Sequence, residues 1–299
     1  MKVTVLYGGP SAEREISLVS GKAVIDGLRA AGHDVFPSDI SPADLKGLDH
    51  PADVIFPVLH GQFGESGELQ EILEARKLSF VGSGSKASHV GINKVETKRV
   101  WEKAGLPTPQ YVIVNRQNIG SAGMQAPAVV KAFGSGSSID VYICKSADDL
   151  AEKIKLVVDK HGEALVEQYI KGPELTVGIL EEKALAPIRI VPKAEFFDYN
   201  AKYKAADTEH RFDTGLPPQL VKECQDLAER ANNVLGARDL ARIDIMIDEK
   251  THRPYLLEIN TLPGFTPKSL LPEAAAHAGI PFNQLVDRLV KRAHKRGAM

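Results

Sequence analysis

The sequence predicts a mixed α/β chain: a parallel-sheet domain at the N-terminus, followed by two α+β units. Three observations carry that prediction. Over the first 92 residues, apolar runs and amphipathic stretches alternate strand, helix, strand. Such alternation demands crossover connections and therefore parallel strands. Further on, "LPTPQYVIV" and "APAVVKAFGSGSSIDVYICKS" place short strands around a Gly/Ser loop. Finally, "ARIDIMIDEKTHRPYLLEINTLPG", residues 241–264, joins two strongly apolar segments by a polar turn, the pattern of a hairpin.

In chain order, "KVTVLY" reads as the first strand and "GGPSAE" as a turn, with a helix from about 12 to 31 that stops at Gly32. Ser11 is the candidate N-cap, with Glu13 and Glu15 in an acidic first turn. "DVFPSDI" and "DVIFPVLHG" are strands, and "SGELQEILEARKL" is a helix. These make a first domain of about 1–92. A helix, "NKVETKRVWEKAG", opens a second unit, about 93–173, which also holds a helix at 147–160 and the strand "ALVEQYI". The third unit, 174–299, begins with "ELTVGIL" and "LAPIRIVP", then a polar loop at 198–214 and a helix at 217–234. The hairpin and two helices close it. A loop of that length inside a compact domain is usually functional.

Length and composition fit two or three domains of an ordinary globular protein: 299 residues, 43% hydrophobic and 25% charged. Net charge is 37 − 39 = −2, against a general nucleic-acid or membrane-surface partner. Two cysteines, Cys144 and Cys224, are too few for a disulfide framework and lack zinc spacing. They fit a reduced cytoplasmic setting. The N-terminus reads as a strand, not a signal peptide, and no apolar run approaches a membrane span.

The hairpin poses a chemical question. Side chains alternate along strands, so Ile243, Ile245 and Ile247 share one face and Arg242 and Asp244 the other. Tyr255, Leu257 and Ile259 are expected on one face of the second strand, with Glu258 and Asn260 opposite. With a five-residue loop at 249–253, Asp244 faces Glu258 and Arg242 faces Asn260. Opposed carboxylates repel, so a positive group should lie between them. Magnesium, an oxygen-seeking ion that shares carboxylates and substrate phosphates, suits the set. Arg242 would bind phosphate or developing negative charge. The bland alternative is a solvated strand face with a surface ion pair.

Other stretches are weaker alone. "AFGSGSSID" offers backbone N–H groups and hydroxyls to a phosphate, but lacks P-loop spacing and looks like many surface loops. Lys131 ends the strand before it, and Lys94 is a second candidate cation; either reads equally as a surface charge. Glu13, in a strand-to-helix junction where α/β sheets bind ligands, could accept from a substrate ammonium or simply complement a helix dipole. His60, in "HGQFGESG", is a ligand contact or a satisfied buried histidine. Lys202 and Tyr203, in "DYNAKY", close over a substrate or lie on the surface. "LVEQYIKGPE" is a hinge that can meet a planar base, with Glu174 near a ribose, or an ordinary strand and turn.

Together, "GGPSAEREISLVSG", "HGQFGESGELQ", "VGSG", "NKVETK", "VVKAFGSGSS", "VEQYIKGPE", "FFDYNAKY", "ARIDIMID" and "LLEINTLPGFTPKSLLP" span about 3–290. In order and spacing they resemble the D-alanine–D-alanine ligases of the ATP-grasp superfamily. The resemblance implies a three-domain ATP-grasp fold and ATP-dependent joining of two D-alanines through an acylphosphate, supplying peptidoglycan precursor for the cell wall. It implies ATP, two magnesium ions (manganese as a substitute) and a homodimer built through the N-terminal domain.

Residue by residue, the resemblance implies Asp244, Glu258 and Asn260 as metal ligands. Arg242 would stabilise phosphoryl and tetrahedral species, with the Gly264 N–H completing the oxyanion site. Lys94 and Lys131 would meet ATP phosphates, and Glu167, Tyr169, Ile170 and Glu174 would line the adenosine pocket. Glu13 would hold the first alanine's ammonium, near His60, in a triad with Ser137 and Tyr203. Lys202, Ser269 and Leu270 would meet the second alanine. The chain departs from the family pattern at Ala132, usually proline; at Phe133, where the lid lacks its usual charge; at Asp140, usually glycine; and at Asn93, usually aspartate. An inward-pointing Asp140 would weaken ATP binding. Two alternatives stand: a ligase with another acceptor, such as D-lactate, against which the "AKY" loop argues, and a non-catalytic nucleotide-binding module, against which the intact Arg242, Asp244, Glu258 and Asn260 argue.

Overall fold

The strand β1 (Lys2–Tyr7) runs between β2 (Asp34–Asp39) and β3 (Val54–Pro57), parallel to both. A computed structural model describes residues 1–121, 123–133, 140–192 and 208–298. Val3 and Val5 are buried in one apolar cluster and Leu6 in another. Both faces of the sheet are thus covered, as parallel sheets require. The helix α1 (Arg14–Ala30) starts two residues later than the sequence suggested. Ser11 does not cap it: its Oγ accepts from the Glu13 N–H at 3.1 Å, and Glu13 itself takes the cap position. Gly32 ends the helix as expected, with φ +85°.

Three short helices follow, α2 (Gln62–Glu65), α3 (Glu68–Ala75) and α4 (Ser85–Ile92). The sequence announced only α3. The cap of α4 comes from another helix: Glu74 accepts from Ser85 N at 2.9 Å and from Ser85 Oγ at 2.6 Å. No local pattern encodes such a cap. Next comes α5 (Lys94–Lys103), where Asn93 Oδ1 accepts from Val95 N (3.0 Å) and Glu96 N (3.1 Å). The family's aspartate would make the same N-cap, so this substitution keeps the local function.

The second sheet holds β4 (Tyr111–Asn115), β5 (Ala128–Lys131), β6 (Val141–Cys144) and β7 (Glu163–Gln168), antiparallel in the order β4-β7-β5-β6. The helix α6 (Ala147–His161) covers one face, packing Leu150, Ile154, Val157 and Val158 on Val114, Val130 and Val166. Val129, Lys131, Val141, Ile143 and Glu167 line a cleft.

The third sheet is antiparallel: β8 (Glu174–Leu180), β10 (Ile188–Pro192), β11 (Thr208–Arg211), β12 (Leu240–Ile247) and β13 (Pro254–Asn260), in the order β11-β10-β8-β12-β13, with β9 (Lys183–Ala184) against β8. The segment read as a loop to residue 214 thus ends in an edge strand. Against one face lies α7 (Pro218–Leu235), where Cys224, Leu227, Ala228 and Ala231 meet Leu175, Val177, Ile243, Ile245 and Ile247. Trp101 of α5 is fully buried in the same core and donates from Nε1 to the Ala231 carbonyl at 3.2 Å. The last helices are α8 (Leu270–His277) and α9 (Phe282–Arg296). Leu285, Val286, Leu289 and Val290 of α9 join the core of the first sheet. No helix among the described residues is long and apolar enough to cross a membrane.

The hairpin register is Arg242↔Asn260 and Asp244↔Glu258, as the sequence indicated. Between Asp244 and Ile245 a bulge shifts it by one, so Ile245 pairs with Leu256. This breaks the expected face of Tyr255, Leu257 and Ile259. Leu256 and Ile259 enter the core, and Leu257 turns to the cleft beside Glu258. Bulges next to functional sites re-aim side chains in this way.

Candidate active site

Two clefts meet at Glu174 and Asp244, which line both. The first lies between the second and third sheets, with Val129, Val141, Ile143, Met246 and Leu257 as apolar walls. Tyr169 and Ile170 line it from the hinge between β7 and β8. That hinge is pinned to the hairpin: Glu249 N donates to the Lys171 carbonyl at 2.8 Å and Ile247 N to the Pro173 carbonyl at 3.0 Å. Gly172 has φ +154°, and a Cβ there would stand 1.9 Å from the Ile247 carbonyl oxygen. Only glycine allows this approach.

At one end of this cleft Glu167 is 1% exposed and sits between two lysines. Its Oε2 is 2.5 Å from Lys131 Nζ and its Oε1 2.7 Å from Lys98 Nζ. Burial would raise its pKa, but Lys131 and Lys98 outweigh burial and hold the carboxyl down at about 2. The two lysines respond in opposite directions. Burial pushes Lys98 down despite Glu167. Burial acts on Lys131 too, but Glu167, with help from Glu258 and Glu174, raises it overall. Glu167 thus faces two ammonium groups, and Lys131, which lines the cleft, is shared with Glu258 and Glu174.

On the hairpin wall Arg242 grips Asp244 with two bonds, Nε to Oδ1 at 3.0 Å and Nη2 to Oδ2 at 2.9 Å. Thr176 Oγ1 donates to Asp244 Oδ1 at 2.6 Å. Arg242 Nη2 also lies 4.0 Å from Glu258 Oε1, and Lys94 Nζ lies 3.3 Å from Glu258 Oε2. Here the positive charge between the opposed carboxylates is Arg242, with Lys94 at the edge. Asn260 Oδ1 accepts from Leu262 N at 2.9 Å. The donor set of Asp244, Glu258 and Asn260 is all oxygen. Among the described residues no group of three or more His, Cys, Asp or Glu is placed to hold a metal. Two carboxylates and an amide fit magnesium, which keeps waters and takes ligand phosphates, better than a metal caged wholly by protein.

The second cleft is lined by Ile16, His60, Arg242, Gly264, Ser269 and Leu270, among others. Ser17 Oγ accepts from Gly8 N at 2.9 Å and donates to the Val58 carbonyl at 2.6 Å, locking the first turn to the chain before His60. A Cβ on Gly61 would lie 4.0 Å from Glu13 Oε2, so Glu13 stands beside the His60 loop. His60 is buried, its Nδ1 3.3 Å from Glu65 Oε1. Among the described residues its buried Nε2 has no hydrogen-bond partner. Ser269 Oγ accepts from Thr266 N at 3.0 Å and contacts Thr266 Oγ1 at 2.9 Å, beside Gly264. The hairpin wall and the second cleft therefore share Arg242 and Asp244.

The family profile described as D-ala D-ala ligase C-terminus matches residues 100–291, and the one described as D-ala D-ala ligase N-terminus matches residues 39–83. The chain belongs to the D-alanine–D-alanine ligase family. A relative named D-alanine–D-alanine ligase, from Gluconobacter oxydans (strain 621H), is 42% identical over 305 residues, covering 99% of this chain and 100% of its own. The crystal structure of the D-alanine–D-alanine ligase from Bacillus anthracis matches with a TM-score of 0.86 at 32% identity over 99% of each chain. Its complex with ATP matches at 0.83 and 29%, again over 99% of each chain. The VanG D-Ala:D-Ser ligase from Enterococcus faecalis matches at 0.86 and 25%, over 98% of this chain and 99% of that one. The fold is the ATP-grasp fold of these ligases.

Of the ligase residues expected from sequence, the two clefts gather Lys94, Lys131, Glu167, Tyr169, Ile170, Glu174, Arg242, Asp244, Glu258, His60, Gly264, Ser269 and Leu270. Asn260 lies in register with Arg242, and Glu13 stands beside the His60 loop. Ser137, Lys202 and Tyr203 lie outside the described residues, as does most of the Gly/Ser loop. Asp140 does not line the cleft. Its carboxylate is 2.7 Å from both Lys160 Nζ and His161 Nε2 and accepts from Tyr142 OH at 3.1 Å. Burial would raise its pKa, but these partners hold it below the usual range. Its φ is +55°, the left-handed region that glycine enters freely and aspartate tolerates. The family's usual glycine and this aspartate can therefore hold one backbone shape. The sequence reading missed Lys98, Thr176, Met246 and Leu257. Lys98, four residues after Lys94 in "NKVETK", shares its helix face, and that spacing was the available signal.

Proposed function

We propose that this ATP-dependent ligase joins two molecules of D-alanine, through an acylphosphate, to give the dipeptide for peptidoglycan synthesis. The strongest support is the wall where the clefts meet: Arg242, Asp244, Glu258 and Lys94 stand together between a cleft that pairs Lys131 with Glu167 and a pocket lined by His60, Gly264 and Ser269. A carboxylate is a poor electrophile and must be activated before an amine can attack it. In our reading the carboxylate oxygen of the first D-alanine attacks the γ-phosphorus of ATP, and the bond to ADP breaks. The neutral amine of the second D-alanine then attacks the acyl carbon, and the carbon–oxygen bond to phosphate breaks. One amine proton is lost as the amide forms.

Lys94 and Lys131 would neutralise phosphate oxygens, and Glu167, Tyr169, Ile170 and Glu174 would seat the adenosine. Arg242 would follow charge from the transferring phosphoryl group to the tetrahedral species, with the Gly264 N–H as a second donor. Glu13 would bind the first ammonium, His60 would orient its carboxylate, and Ser137 and Tyr203 would complete a hydrogen-bonded triad with Glu13. Lys202, Ser269 and Leu270 would take the second alanine. Asp244, Glu258 and Asn260 would hold two magnesium ions, or manganese. Bound there, the metal would supply charge neutralisation of phosphate oxygens.

The division 1–92, 93–173 and 174–299 is supported by one sheet falling in each stretch. The family likeness supports a cytoplasmic homodimer acting only on small molecules. The likeness to a D-Ala:D-Ser ligase keeps another acceptor as a second reading. The test is phosphate release with ATP and magnesium, adding D-alanine, D-serine, D-lactate, L-alanine or no acceptor. Release with D-alanine alone, with dipeptide formed and with Asp244→Asn inactive, supports the proposal. Release that follows another acceptor, or an active Asp244→Asn, refutes the substrate or the metal assignment respectively.

A further inference from the structure

Lys98 is a buried cation that no step above uses. Its side chain has no exposed surface, and it lines neither cleft. Its Nζ lies 2.7 Å from Glu167 Oε1 and donates to Thr108 Oγ1 at 2.5 Å. Thr108 donates in turn to the Leu256 carbonyl at 2.9 Å, next to the bulge residue Leu257. Burying an ammonium is costly, and an apolar residue often serves a core as well. The placement therefore points to a task at Glu167.

The opposite oxygen of Glu167 meets Lys131, which does line the cleft. The carboxylate is thus held between a cation that can reach a ligand and one that cannot. With Lys131 alone, carboxylate and ammonium would satisfy each other. Lys98 supplies the second charge from behind. Glu167 then stays ionised and fixed in orientation, and Lys131 keeps attraction for an anion. An ionised carboxylate only accepts hydrogen bonds. It favours a base that presents an amino group and repels one that presents a carbonyl.

We propose that Lys98, held by Thr108, is a positioning residue that fixes Glu167 as an acceptor and thereby sets the choice of purine, admitting a 6-amino and refusing a 6-oxo base. The inference rests on reading the first cleft as the nucleotide site. It does not depend on which amino acids are joined.

The test is equilibrium binding of ATP and of inosine triphosphate to the full chain with magnesium. The two nucleotides differ in the group at position 6 and in the proton on N1, so the change in their affinity ratio on substitution at Lys98 or Thr108, which leaves the N1 contact alone, reports the Glu167 contact. The unaltered protein should prefer ATP at least tenfold, about one hydrogen bond to a charged group. Lys98→Met should cut that preference at least about fivefold, raising KM for ATP more than it lowers kcat. Thr108→Val should move the ratio the same way by less, and Thr108→Ser, which keeps the hydroxyl, should restore it. A residue that only supports the core would weaken both nucleotides by one factor. Equal weakening in a folded Lys98→Met, or no preference in the unaltered protein, overturns the proposal. Should Lys98→Met not fold, the Thr108 pair decides: Val and Ser behaving alike overturns it. Preference for ATP without dipeptide formation would sink the proposed function and leave this inference standing.

Discussion

Glu167 and Asp239 are built to the same recipe and do different work. Each is a carboxylate with at most 1% of its surface exposed, and each is held between two cations. Asp239 uses arginines. Arg296 bonds it through Nη1 to Oδ1 at 2.5 Å and Nη2 to Oδ2 at 2.9 Å, and Arg292 Nε lies 3.2 Å from Oδ1. Gly82 N adds a bond at 2.9 Å. These partners tie α9, the chain after β3 and the start of β12 into one block. Glu167 uses lysines, and one of them opens onto a cleft. A planar guanidinium fork locks a carboxylate, whereas an ammonium is a point charge that can be shared with an incoming anion. The fork on Asp239 closes a joint, whereas the ammonium of Lys131 on Glu167 opens onto a cleft; the fork of Arg242 on Asp244 also lines a cleft, so place as well as cation decides the task.

The largest expected effect tests the joint. Asp239→Asn takes the charge partner from Arg296, while Arg292 keeps Glu182, and should cost about 3 kcal/mol of stability, read as a lower urea midpoint. Activity per folded molecule should be nearly unchanged. The converse is Glu167→Gln, which should raise KM for ATP about thirtyfold, the loss of a charge-assisted contact, while lowering the urea midpoint less than Asp239→Asn does. Acid adds a sign. Glu167 titrates at about 2 when folded against 4.5 ordinarily. Its stabilisation is complete above 4.5 and is lost as pH falls toward 2. Stability over that window should therefore fall more steeply in the unaltered protein than in Glu167→Gln, and equal slopes would contradict the ion-pair assignment.

Smaller changes sharpen the contrast. Arg296→Lys keeps the charge but loses the fork, and should cost about 1–2 kcal/mol, seen in the same urea titration. Asp140→Gly removes a clasp on α6 but suits the left-handed backbone. It should alter KM for ATP by less than about threefold, within the range of a partly exposed ion pair. A tenfold change would mean that Asp140 acts on the nucleotide after all.

Much of this was legible in the sequence, for physical reasons. Strand alternation put Arg242, Asp244, Glu258 and Asn260 on one face, and the observed register agrees at those residues. Alternation failed where the bulge slipped the register, so Leu257 went to the cleft and Leu256 to the core. A single strand's pattern cannot announce a bulge made with its neighbour. The helix α4 was missed because Glu74 of another helix caps it. Lys98 was missed because its partners, Glu167 and Thr108, are distant in sequence or on another element. The Asp239 cluster joins residues from 82 to 296, a distance that local patterns do not span.

In the proposed reaction the wall at Arg242, Asp244 and Glu258 activates a carboxylate by phosphoryl transfer. The most direct measurement uses D-alanine labelled with 18O in its carboxylate, turned over with unlabelled ATP and magnesium, followed by mass analysis of the released phosphate. One 18O is expected in each phosphate formed with each dipeptide, because the attacking oxygen leaves with phosphorus. Dipeptide formed with unlabelled phosphate would contradict it.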